Sequence, residues 1–269
     1  MTAFFLFLSG IYLACMVAAC LIVAVGVDSL KRYDAGRKGS GAGLSGMALI
    51  AVTMKLLKEP NQLLLIVILV FIGLQQAFFG ADFTAAFVSC AIGTGTVGFV
   101  MMTFGITDAI SCLATGYLVK ITGRVPLVIA AMLLQIVLLF TMLFWKPDPS
   151  QLSVLFIIAA LWGICDSVWL VHVNAFCGLL FPGKEEAAYS NFRLWESVGF
   201  IAAYLYSPFL RMRIKIIILL IMLVVGVAQY LFVEYRAAKN NIIVKVRKVQ
   251  APVCDKGCDN IAFQNVDVI

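Results

Sequence analysis

Four charged side chains stand inside stretches that are otherwise almost free of charge. Asp108 lies within 83–119, Asp166 within 151–183, and Arg193 and Glu196 within 187–210. A charge in an apolar run of that length is costly unless it is paired, hydrogen-bonded or facing water. These residues are therefore candidates for an internal polar site. Helical spacing sets Asp108 on one face with Met101, Ser111 and Thr115. It sets Asp166 on a face with Trp162, Trp169 and, less closely, Asn174. Arg193 and Glu196 are three residues apart and share a face with Tyr189, Phe200, Ala203 and Ser207. A basic group and several acids converging on one cavity could bind a solute or an ion. The same groups could equally serve as scaffold. Arg193 would then pair with Glu196 or with an acid on a facing helix, or extend its charged end to an interface.

Catalytic chemistry has little to draw on. His172 is the sole histidine, and neither a zinc-binding His and acid pattern nor a nucleophile elbow is present. Gly93, Gly95 and Gly98 fit the spacing of a dinucleotide fingerprint. The fit is rejected, because no strand–helix–strand unit surrounds them and no acid follows about 20 residues on. Cys254 and Cys258 form one thiol pair, half of what a structural zinc site requires. The reading is a non-enzyme without metal or cofactor. The other six of the eight cysteines lie in or near apolar stretches, so no disulfide framework is expected.

The elements that must position the candidate residues follow from composition. Of 269 residues, 63% are apolar and 13% charged, too few charges to cover a soluble surface. A lipid bilayer resolves the conflict, since its hydrocarbon core asks for about 20 apolar residues per helix. The charge-poor segments predict seven helices near 4–27, 61–82, 95–119, 125–145, 152–181, 188–209 and 214–234. The fold class is thus an all-α polytopic membrane protein. Residues 83–94 read as an outer loop or a helix extension. Residues 28–60 form a basic, glycine-rich loop. Within it, Leu44, Met47, Ala51, Met54 and Leu57 recur at helical spacing, as either a short amphipathic helix on the inner leaflet or a poorly ordered connector.

Lys and Arg divide unevenly between the two sides. The 28–60 loop, Lys120, Arg124, Lys184 and the tail 236–269 carry most of them, against Lys146, Arg211, Arg213 and Lys215 opposite. The positive excess places the loop and tail in the cytoplasm and Met1 outside. The net charge of +6 is accounted for by anionic lipid at the basic loops, so the expected partner is the bilayer and not nucleic acid.

Gly116-Tyr-Leu118-Val-Lys120-Ile-Thr-Gly123-Arg124 joins two predicted helices on the basic side. It resembles the loop signature of the major facilitator superfamily, with Lys120 where that signature usually has an acid. Gly123 is expected to permit the turn, and Arg124 to meet lipid phosphate or a helix C-terminus. Longer matches follow in order. They are Gly73-Leu-Gln-Gln76, Gly98-Phe-Val-Met101, Thr107-Asp108-Ala109, Leu161-Trp-Gly163 with Asp166-Ser-Val-Trp169, Asn174-Ala175, and Asn191-Phe-Arg-Leu-Trp-Glu196 with Gly199-Phe200. Through these the chain resembles the Unc-93-like family, its vertebrate A type most closely.

The resemblance implies a major facilitator bundle of two six-helix halves. Residues 61–235 correspond to the C-terminal half, helix 1–27 to the last helix of the first half, and 28–60 to the central cytoplasmic loop. The first five helices would then lie outside this chain. The resemblance also implies a role as a plasma-membrane regulatory or accessory protein, acting on a potassium channel subunit or on the trafficking of another membrane protein. The alternative is a secondary transporter of a small solute, or an incomplete, inactive piece of one.

Overall fold

The computed structural model describes residues 2–26, 46–148, 151–181 and 184–239, and among these it contains helices and no strand. The glycine–serine linker and the tail beyond Lys239, expected in the cytoplasm, lie outside the described residues. By its contacts the chain divides into two units, residues 1–43 and 44–269. The first contains α1, Thr2–Gly26, a helix of 25 residues with no charge.

The second unit opens with α2, Gly46–Leu56. Six longer helices follow: α3, Pro60–Ile92; α4, Thr94–Thr122; α5, Arg124–Phe144; α6, Leu152–Leu180; α7, Glu185–Tyr206; and α8, Met212–Lys239. Five of these, α3 to α6 and α8, are long and apolar enough to cross a membrane. The molecule is an all-α polytopic membrane protein. α7 has the length but carries Glu185, Glu186, Arg193 and Glu196 in its 22 residues. Proline at the first position of α3 fits a turn whose N–H groups have no helical partner.

The stretch 83–94, open between loop and extension on sequence grounds, continues the helix almost to its end. From Phe78 to Ser89 the backbone widens to a π-helix. Phe79, Phe83 and Phe87 recur every fourth residue there and stack at centroid distances of 4.7 and 5.6 Å. Trp145 extends the ladder from Phe87 at 6.4 Å, and Trp162 joins it against Phe79 at 5.3 Å. A second π stretch, Trp169–Val173, interrupts α6.

α3 is the central element, packed on α7 and on α8, while α4 packs on α6 and α5 on α6 and α8. Two of these contacts depend on missing side chains. A Cβ on Gly199 would meet the Val70 carbonyl and lie 3.0 Å from the Leu74 nitrogen, and one on Gly73 would run into the Glu196 carbonyl. α3 and α7 therefore cross backbone to backbone, as small residues allow between membrane helices. At Gly163 of α6, a Cβ would meet Thr107 Oγ1 at 2.6 Å and the Asp108 nitrogen at 3.0 Å of α4. α2 packs against α7, where Asn191 Nδ2 donates to the Thr53 carbonyl at 3.2 Å and Leu56 is buried.

Candidate functional site

The glycine crossings determine which polar groups meet. Gly73 lies two residues before Gln75, and its partner surface is the backbone of Glu196. Gly163 lies three residues before Asp166, and its partner surface is the backbone at Asp108. Four helices therefore bring polar residues to one level of the bundle.

Asp166 is the centre of this arrangement and only 3% exposed. Gln75 Nε2 donates to its Oδ1, and Gln76 Nε2 donates to Oδ1 at 3.1 Å and Oδ2 at 3.2 Å. Trp162 Nε1 in turn donates to Gln75 Oε1 at 2.7 Å, which fixes that amide. Among the described residues, the carboxylate is thus held by neutral amides rather than by a cation. Asp108 and Glu196 both lie within electrostatic range of it. Asp108 is half-buried and accepts from Cys112 Sγ at 3.7 Å.

Arg193 Nη1 donates to Glu196 Oε2 at 2.7 Å. The partners differ sharply in burial, since the arginine side chain is 65% exposed and the glutamate 7%. The guanidinium also lies over the Phe192 ring, 5.4 Å from its centroid. Asp108, Asp166, Arg193 and Glu196 therefore fall in one neighbourhood. Asn174 does not join it: eight residues beyond Asp166 on α6, its Oδ1 is buried without a hydrogen-bond partner. Its shared face with Asp166 is interrupted by the π stretch.

Gly123 has φ of 80°, a conformation glycine adopts freely, and its N–H donates to the Val119 carbonyl at 3.0 Å. Gly116 has open space around it and Leu118 is exposed. Arg124, expected at lipid phosphate or a helix C-terminus, meets a side chain in the C-terminal part of α8. Its Nε lies 3.4 Å from Glu234 Oε1 of α8, and its guanidinium covers the Phe176 ring at 5.3 Å. A cation at the N-terminus of α5 opposes the helix dipole, and the carboxylate offsets it.

Sequence reasoning missed two features. Gln75 and Gln76 were visible only as part of a longer match, because neutral amides do not stand out in an apolar run. Lys215, counted by its charge among the cations of the outer side, is buried. Its Nζ donates to Asp82 Oδ1 at 2.6 Å and to Ser207 Oγ at 3.1 Å, while Ser207 donates to Asp82 at 2.6 Å.

Comparison with known proteins gives this geometry a family. The chain matches the family described as "Ion channel regulatory protein UNC-93" over residues 1–231. It is 38% identical over 234 residues to the zebrafish Danio rerio "Protein unc-93 homolog A", covering 87% of this chain and 50% of that protein. The human protein of the same name is 34% identical over 87% of this chain and 51% of its own length. Caenorhabditis elegans "Putative potassium channel regulatory protein unc-93" is 30% identical over 83% of this chain and 32% of its own length. The chain spans about half the length of the curated homolog A relatives it matches. With residues 1–231 matched and relatives this similar over most of its length, the chain belongs to the UNC-93 family.

Proposed function

We propose that this chain acts in the plasma membrane as part of a regulatory protein for an ion channel, with potassium channels the first class to test. The observation that carries the reading is the match of residues 1–231 to a family described as ion channel regulatory. The name of the nematode relative narrows the class. In this reading residues 61–235 form the C-terminal six-helix half, 1–27 the helix before it, 28–60 the cytoplasmic loop and 236–269 the cytoplasmic tail, with Met1 outside. Asp166, Asp108, Glu196 and Arg193 fix how α3, α4, α6 and α7 meet, and so set the shape offered to a channel subunit. The central acids support such a structural role over solute binding, because Asp166 and Glu196 are buried and hydrogen-bonded. The role is regulatory and not catalytic.

Affinity purification of the protein from native membranes, followed by co-expression with each recovered channel subunit, tests the reading. The expected result is a potassium channel subunit that co-purifies and whose current changes on co-expression. Recovery of no channel, or currents unaltered by the protein, overturns it.

A further inference from the structure

The ion pair between Arg124 and Glu234 is incomplete. A guanidinium facing a carboxylate commonly engages both oxygens with two nitrogens, at about 2.7–2.9 Å. Here Nε reaches Oε1 at 3.4 Å, while Arg124 Nη1 and Glu234 Oε2 are buried and bond nothing among the described residues. Two polar atoms nearby share that condition. Tyr230 Oη belongs to the turn of α8 before Glu234 and stands close to that carboxylate, outside hydrogen-bond geometry. His172 Nε2, in the π stretch of α6, is within electrostatic range of Arg124. Phe176 ties the group together: Arg124 covers its ring, and Tyr230 packs edge-to-face on it at 5.0 Å. The contrast is Asp166, whose two oxygens both accept from Gln76.

Further protein does not supply the missing partners. His172 is 1% exposed and Tyr230 0%. Additional chain can only raise that burial, and it cannot reach these atoms while α5, α6 and α8 stay packed. A buried polar atom without a partner is costly, so each one calls for an explanation. Whatever completes this group must both donate and accept hydrogen bonds. An anion suits Arg124 Nη1 but is repelled by Glu234 Oε2, and a monovalent cation meets the reverse problem. A metal ion lacks a ligand set, since no cluster of three His, Cys, Asp or Glu side chains able to hold one occurs among the described residues. Water suits all four groups. It accepts from Nη1, donates to Oε2, and has capacity left for a hydroxyl and an imidazole. Buried waters typically make about 2–4 hydrogen bonds of this kind.

We infer that Arg124, Glu234, Tyr230 and His172 enclose a bound-water site that completes the junction of α5, α6 and α8 from within. X-ray hydroxyl-radical labelling of the unaltered full chain in lipid nanodiscs tests this. The beam makes radicals from water wherever water is held, and they attack the nearest side chain. Peptide mass spectrometry then compares Tyr230 and His172 with Phe78 and Phe83, which are equally buried and carry no polar group. Rates are corrected for the intrinsic reactivity of each side chain. The expected result is modification of Tyr230 and His172 at least about tenfold faster than of the two phenylalanines, as a water held against them requires. Rates as low as those of Phe78 and Phe83 overturn the inference. A second arm replaces both charges, Arg124→Met with Glu234→Met, and is read only where the variant folds. Labelling of Tyr230 should then fall toward that of Phe78, and labelling unchanged in the folded variant also overturns the inference. If the variant does not fold, the comparison within the unaltered protein still decides. The rates are read on this protein alone, so they stand whether or not a channel co-purifies.

Discussion

Lys215–Asp82 and Arg193–Glu196 are ion pairs of nearly equal length, 2.6 and 2.7 Å, in neighbouring parts of one bundle. Their surroundings differ. Lys215 and Asp82 are each less than a tenth exposed, and Ser207 closes a triangle with both. That arrangement ties the π-helical part of α3 to the turn between α7 and α8. Arg193 is open on one side while Glu196 is sealed on the other. The first pair is a fastening. The second is a boundary between the dry interior around Asp166 and whatever medium covers α7. Distance alone would have classed them together, and burial separates them.

The contrast can be broken by experiment, and the largest effect belongs to the sealed pair. Lys215→Met leaves a buried carboxylate alone and should cost about 3–5 kcal/mol, as removing one partner of a buried pair typically does. The double variant Asp82→Asn with Lys215→Met should recover most of that loss. Unfolding equilibria in bicelles measure both, and simple additivity would show that the pair is not sealed. Next comes the interface that holds α7 in place. Gly199→Leu forces side-chain atoms into the α3 backbone and should cost about 1–3 kcal/mol or more. Gly105→Ala on α4, where a Cβ meets nothing within 4 Å, should be neutral or slightly stabilising in the same assay. The smallest effect belongs to the open pair. Arg193→Leu and Glu196→Leu should show a coupling of only about 0.2–1 kcal/mol, because the arginine is largely exposed. A coupling as large as that of Lys215 with Asp82 would mean Arg193 is covered in the folded protein.

The elements were legible in the sequence because hydrocarbon imposes a length and forbids charge, and both are visible along the chain. The seven predicted helices come from that constraint, and α7 was identified despite its four charges. Asp166, Asp108, Glu196 and Arg193 stood out for the same reason, as exceptions to an apolar run. What could not be read is which exceptions meet. Periodicity assigns a residue to a face of its own helix and says nothing of the facing helix. Lys215 thus read as a cation of the outer side although its buried partner lies 133 positions earlier, and for Arg124, read as meeting lipid phosphate or a helix C-terminus, the partner Glu234 on α8 could not be named. Asn174 illustrates a different limit. A constant 3.6-residue period places it near the face of Asp166, and the π stretch over Trp169–Val173 changes that phase.

The connection between α4 and α5 is a single residue, Gly123. So short a joint has no slack. α4 shows a broad row of apolar side chains on its outer side, among them Met102, Ile106, Ile110 and Leu113, so anything pressing there acts on a rod of 29 residues. The first residue of α5 is Arg124, so the joint and the ion pair with Glu234 are consecutive along the chain. The least covered of the long apolar helices is thereby joined, through one glycine and one ion pair, to the C-terminal part of α8.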